Sequence, residues 1–163
     1  MALRTIRLET DPLLRKKSKV IKKIDEKLLV LLDDMRETLR NVNGLGLAAP
    51  QIGSLKRVVI IEMEDRLYEL INPEIVETKG TQRRKEGCLS VPGRNGIVER
   101  PMYVKIKALN RAGEEQIVEG EELMAVALSH ELDHLDGVLY TDKAEEMFTL
   151  TAEDVEYEEE EVN

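Results

Sequence analysis

The sequence predicts an α+β fold: antiparallel or mixed β-sheets packed around a central buried helix, with another helix near the N-terminus. Three observations carry this. An amphipathic stripe occupies residues 25–42, short strand-like runs separated by turn residues fill the middle, and a late segment is strongly apolar. Strands do not alternate with helices in βαβ fashion, which argues against a parallel sheet, and no internal repeat is visible.

In chain order, Asp25 stands where a helix needs an N-cap, and Leu28, Leu31, Leu32, Met35, Leu39 and Val42 follow at helical spacing. Asn43-Gly44 closes that helix. Strand-like runs come next at Arg57–Glu62, Leu67–Asn72 and Ile75–Thr78. Another spans about Tyr103–Leu109, and the turn Asn110-Arg111-Ala112-Gly113 leads into a partner around Glu115–Glu119. The central helix runs from about Glu121 to Asp136, with Gly137 as its stop. Residues 1–150 are read as one domain, and 151–163 as an acidic, disordered tail.

The central helix carries the chemistry. The chain has two histidines, and both fall in His130-Glu131-Leu132-Asp133-His134, an H-E-x-x-H pattern. Residues four apart on a helix share a face, with Cβ atoms roughly 5–6 Å apart, which suits two imidazoles gripping one divalent metal. Glu131 is rotated about 100° from His130, so its carboxylate can lean over the open side of that metal as a general base. The pattern also arises by chance in helices whose histidines are ordinary core residues. Two features weigh against that here: the pattern uses every histidine in the chain, and a helix this apolar needs partners for His, Glu and Asp. Asp133 would orient a ligand or pair with an arginine.

A catalytic metal of this kind needs a third protein ligand. Downstream candidates are Asp136, Asp142, Glu145 and Glu146; upstream is the single cysteine, Cys88, within Glu86-Gly87-Cys88-Leu89-Ser90-Val91-Pro92. A lone cysteine is commonly an inert small hydrophobe. Gly87 permits close backbone approach, and Ser90 and Pro92 interrupt local hydrogen bonding, so this is not an ordinary core strand.

Three ordered blocks together resemble the peptide deformylase family, which removes N-formyl groups from newly made bacterial and organellar polypeptides. They are Gly44-Leu45-Gly46-Leu47-Ala48-Ala49-Pro50-Gln51, Glu86-Gly87-Cys88-Leu89-Ser90, and His130-Glu131-Leu132-Asp133-His134. They are similar to the family's G-x-G-x-A-A-x-Q, E-G-C-x-S and H-E-x-D-H, and the likeness extends from about Arg4 to about Lys143. The resemblance implies that Cys88, His130 and His134 hold the metal, with water in the fourth place. It implies that Glu131 takes a proton from that water and passes it to the leaving amine. Gln51 and the backbone N–H of Leu89 would meet the charge that develops on the formyl oxygen.

Gly44 and Gly46 would let the chain pass close to an extended peptide, which could pair there as an added strand; a helix cap followed by a turn accounts for the same glycines, and both apply. Leu123, Val126 and Ala127 are the main candidates for the wall of the methionine pocket, with Leu89 and Ile52 beside them. The resemblance implies Fe2+ in the cell, with Ni2+, Co2+ or Zn2+ able to substitute; one thiolate and two imidazoles alone would have suggested zinc. Two departures are Ser129, where the family often has Gln, and the turn-prone Gly93-Arg94-Asn95-Gly96. Arg100 is expected to pair with Glu86 or Asp133 behind the site.

Composition bounds the partners. A net charge of −9 argues against a nucleic-acid groove or an anionic membrane as the main partner. No stretch reaches membrane-spanning length, the N-terminal residues lack an apolar signal core, and the single cysteine suits a reducing compartment, so a cytoplasmic protein is expected. The expected partners are N-formylmethionyl peptides and nascent chains, with transient ribosome contact. The basic stretch Arg15-Lys16-Lys17 with Lys22-Lys23 and the acidic tail are read as solvated charge. Two rivals are a metallopeptidase cutting internal amide bonds, which would not need the Gln51 block or Cys88, and a non-catalytic metal or peptide binder.

Overall fold

The computed structural model describes residues 2–151, so the acidic tail read at 151–163 lies outside the described residues apart from Thr151. Helix α1, Glu26–Asn41, starts where Asp25 accepts a hydrogen bond from the Leu28 N–H at 3.0 Å. Its stripe of Leu28, Leu31, Leu32, Met35 and Leu39 is buried, whereas Val42 falls just past the helix and is exposed. The opening arm of the chain lies on the same helix: Asp34 accepts from the Ala2 N–H at 2.7 Å and from Arg4 Nε at 2.9 Å.

Strands β1 Gly46–Ala48, β2 Val58–Met63 and β3 Arg66–Lys79 belong to one antiparallel sheet with β6 Tyr103–Leu109 and β7 Glu115–Glu121. The order is β1-β2-β3-β6-β7. The four-residue apolar start of β2 has a simple cause. Val58 and Ile60 pack against the α1 side, and Val59 and Ile61 against the other, so both faces of the strand are buried. Glu64 and Asp65 both take positive φ, the turn that a two-residue antiparallel hairpin demands.

The runs read separately as Leu67–Asn72 and Ile75–Thr78 are one strand, β3, with register shifts inside it. Asn72 marks the first shift. It adopts φ 51° and its side chain clamps Ile21, accepting from the N–H at 2.8 Å and donating to the carbonyl at 2.9 Å. Pro73 next to it has no N–H for the ladder.

Three further strands form a second antiparallel sheet in the order β4-β5-β8: β4 Gln82–Cys88, β5 Val91–Arg100 and β8 Glu146–Thr149. None was foreseen. Cys88 is thus the last residue of a strand, and Gly93–Gly96 is not a turn, because Arg94 to Ile97 pair with β8. Polar composition hides β4, and Pro92 with two glycines hides β5; cross-strand contacts decide both. Gly96 is required by that pairing, since a Cβ there would sit 2.7 Å from Met147 Sδ.

Helix α2, Leu123–Leu135, lies between the sheets. It begins two residues later than the sequence suggested, because β7 continues through Glu121 and Glu122 turns the chain with φ 54°. Gly137 ends it at φ +74°. Leu128, Leu132 and Leu135 pack with Val59, Ile61 and Ile106 into one core cluster. A last short helix, α3 Tyr140–Lys143, covers the end of α2 near the second sheet.

Candidate active site

The two histidines project from one face of α2, with ring centroids 5.1 Å apart. Cys88 reaches them from the end of β4, where a register shift at Gly87 precedes the tight connection to Val91. Gly87 is needed there because a Cβ would fall 2.5 Å from Asn95 Oδ1. Cys88, His130 and His134 each present one ligand atom, all within 4.8 Å of one another. Cys88 Sγ lies 3.4 Å from His134 Nε2.

The downstream acids do not join this group. Asp136 pairs with Arg57 at 3.0 Å, Asp142 with Arg15 at 2.5 Å and Glu145 with Arg83 at 3.2 Å, while Glu146 is exposed on β8. Cysteine is therefore the third candidate ligand.

Behind the cluster, the polar groups are tied together. His130 Nδ1–H donates to Glu86 Oε1 at 2.9 Å, which leaves Nε2 for the cluster. Arg100, its side chain 2% exposed, donates through Nε and Nη2 to both Glu86 oxygens at 2.8 and 3.0 Å. Its Nη1 donates to Asp133 Oδ2 at 2.6 Å, and Lys143 Nζ sits 2.9 Å from the same oxygen. The arginine expected to choose between Glu86 and Asp133 thus holds both. Burial alone would raise the Glu86 pKa, but the bonds from His130 and Arg100 outweigh it and hold the carboxyl below its usual range.

The two imidazoles differ. Burial disfavours a charged His130, yet its bonds to Cys88 and Glu86 and the Glu131 charge raise it well above its ordinary value. His134 is pushed well below by burial and by the charges of His130 and Arg100.

On the open side stands Glu131, 5% exposed, with Oε1 buried and without a hydrogen-bond partner among the described residues. Burial, reinforced by the Glu86 charge, lifts its pKa to about 7. Gly46 makes room for it, since a Cβ there would lie 2.6 Å from Glu131 Oε2. The sequence had assigned that glycine to substrate approach and to a turn after the helix cap, not to room for Glu131.

Gln51 sits in a 3-10 turn, Ala49–Ile52, directly after β1. The Ala48 N–H fixes its Oε1 at 2.9 Å, so Nε2 points toward Ser90 Oγ (3.1 Å) and Cys88 Sγ (3.7 Å).

These groups open on a cleft of about 660 Å³. Gly44, Gly46, Leu89, Leu123, Val126 and Ala127 all line it. Ile52 does not: it packs in the α1 core cluster. Two contributors had no sequence signal. Tyr140 stacks on His130 at 6.0 Å and donates to the Arg94 carbonyl at 3.0 Å, and Leu150 lines the cleft from beyond β8.

The donor chemistry fits a divalent metal: one sulfur and two imidazoles converge, and an unpartnered buried carboxylate oxygen lies beside them. Fold and site together define a class, an α+β fold in which a Cys-His-His group able to hold a metal is built from an H-E-x-x-H helix and the end of a strand. The comparisons narrow it. The polypeptide deformylase family model matches residues 3–149. A peptide deformylase of Acetivibrio thermocellus is 61% identical over 143 residues, covering 88% of this chain and 84% of that protein. The crystal structure of the Thermotoga maritima peptide deformylase superposes with a TM-score of 0.86 at 39% identity, covering 88% of this chain and 99% of that one. A Met-Ala-Ser-bound class I type b peptide deformylase from Acinetobacter baumannii gives 0.84 at 31% identity, covering 87% and 98%. The chain belongs to the polypeptide deformylase family.

Proposed function

We infer that residues 1–150 act as a single catalytic domain that removes the N-formyl group from the terminal formyl-methionine of newly synthesised polypeptides. The observation that carries this is the convergence of Cys88, His130 and His134 with Gln51 and Glu131 on one cleft. A non-catalytic binder would have no use for an intact set, and an ordinary metallopeptidase would not need Gln51 beside the cysteine.

Cys88, His130 and His134 would hold one divalent ion, Fe2+ in the cell with Ni2+, Co2+ or Zn2+ able to replace it. When bound, that ion supplies Lewis-acid polarisation of the formyl carbonyl and makes a water acidic. Glu131 accepts the proton of the attacking water on its unpartnered oxygen, and its pKa near 7 lets it return that proton to the departing amine. Gln51, locked by the Ala48 N–H, presents Nε2 to the oxygen on which charge builds, and the Leu89 N–H completes the pair of donors.

β1 is an outer strand of its sheet, so its free edge beside the cleft can take an extended peptide as an added strand near Gly44 and Gly46. The methionine side chain would lie against Leu123, Val126 and Ala127. The Acinetobacter structure, with its methionine-first peptide, supports that choice of ligand. Among the described residues no helix is long and apolar enough to cross a membrane, which suits action on nascent chains in the cytoplasm.

The test is formate release from a short formyl-methionyl peptide, with protein loaded anaerobically with ferrous iron and Glu131→Gln as control. Formate from the wild type and very little from the control supports deformylation. Folded, metal-loaded protein that yields none, or that cleaves unformylated peptides instead, refutes it.

A further inference from the structure

Charge in this chain is segregated. Seven carboxylates fall within residues 153–161, while Lys16, Lys17, Lys19, Lys22 and Lys23 share one short stretch near the other end. Most other cations are committed to acids, among them Arg4 to Asp34, Arg15 to Asp142, Arg57 to Asp136 and Arg111 to Asp33 and Glu69. The five lysines, with Lys27 and Lys56, have no carboxylate at ion-pair distance among the described residues. The nearby Asp11 and Asp25 cap the Leu13 and Leu28 N–H groups.

The stretch is also held rigid. Ser18 N–H donates to the Leu135 carbonyl at 2.8 Å, Lys19 N–H to that of Leu55 at 2.9 Å, and Arg57 N–H to that of Lys19 at 2.9 Å. Asn72 clamps Ile21 from both sides. Ser18 is buried, and Ile21 and Ile24 pack on the α1 core, which leaves the intervening lysines exposed. Lys19 and Lys56 are partners in an isolated parallel bridge, which ties the ribbon to the segment before β2. Lys27 and Lys56 also border, with Arg4 and Ser54, a hollow of about 440 Å³ in which Glu26 is the one acid. A row of cations on a bonded ribbon, without carboxylate partners among the described residues, suits an anionic partner.

We propose that the face formed by Lys16, Lys17, Lys19, Lys22, Lys23 and Lys56 docks on the phosphodiester backbone of structured RNA. The ribbon turns its isoleucines inward and offers no amphipathic helix to a bilayer, so repeated phosphates fit it better than lipid. Lysine point charges without interleaved aromatics suit backbone contact, not base reading. Ser18 is bonded at the C-terminal end of α2, and none of the six lysines is among the residues that line the cleft. The contact itself needs only this charge geometry; its use, holding the cleft toward emerging chains, rests on the deformylase reading.

The experiment titrates the full chain into a fluorescently labelled RNA hairpin, read by anisotropy at salt concentrations from roughly 50 to 200 mM. Phosphatidylserine vesicles are run in parallel. The docking surface predicts salt-dependent RNA binding that falls about tenfold or more when Lys16, Lys17, Lys19 and Lys22 are all changed to Gln. The log–log salt slope should become shallower by about one for each lysine engaged, and the matching Lys→Arg set should restore both. No RNA binding by the wild type, equal binding by the Gln set, or binding to vesicles alone overturns the proposal. Formate release from a short formyl-methionyl peptide, measured on the same samples, should be equal in all three proteins. A loss confined to the Gln set would assign these lysines to the fold and overturn docking, whereas no release from any of them would refute the deformylase reading and leave the RNA result to stand alone.

Discussion

The two sides of the Cys88–His130–His134 cluster are built on opposite principles. Behind it, Glu86, Arg100 and Asp133 are buried or nearly so and bonded to one another, and Lys143 closes the set from the surface. In front, Glu131 has an unpartnered oxygen, Gln51 offers an amide group toward the sulfur, and β1 leaves an unpaired strand edge. A satisfied network fixes geometry, while unsatisfied groups are where chemistry has to be completed from outside. On the deformylase reading proposed above, holding a metal and using it fall to different residues, and substitutions should separate the two.

The largest effect is expected at the front. Glu131→Gln should lower kcat/KM by about 10²–10⁴-fold, the range for losing a general acid–base, while metal content by elemental analysis stays at the wild-type level. Gln51→Ala should lower kcat by about 10²–10³-fold, as for an oxyanion donor, with KM for the peptide little changed in steady-state kinetics.

Behind the cluster, Arg100→Leu leaves Glu86 and Asp133 without their main partner. Stability by denaturant titration should fall by about 3–5 kcal/mol. Metal affinity by competition with a chromogenic chelator should fall about 10–100-fold, because Glu86 would no longer hold His130 firmly. The smallest effect is expected at the C-terminus: removing the residues after Leu150 should leave kcat/KM on a short peptide unchanged. A large loss there would bring the acidic segment into the site.

The sequence was informative where pattern is local. Asp25 as cap, the α1 stripe from Leu28 to Leu39, β6 at Tyr103–Leu109 and the stop at Gly137 all stand as read. So does the gathering of Cys88 with the two histidines, though they lie 42 residues apart at least in the chain, because three motif blocks in order marked them. The second sheet was illegible. Gln82-Arg83-Arg84-Lys85 has no strand alternation, and Arg94-Asn95-Gly96 becomes a strand only because residues about 50 positions later pair with it. Tyr140 over His130 was missed for the same reason, since stacking between α3 and α2 leaves no trace in either segment. Gly46 was assigned to substrate approach and to a turn, whereas it also clears Glu131, a steric relation that spacing cannot reveal.

The most direct test of this division of labour is formate release by Arg100→Leu at saturating nickel, run beside Glu131→Gln under the same loading. The account predicts that excess metal restores turnover to the arginine variant to near the wild-type level and leaves the glutamine variant inactive. Arg100→Leu that stays inactive with its site filled, or Glu131→Gln that recovers, would contradict it.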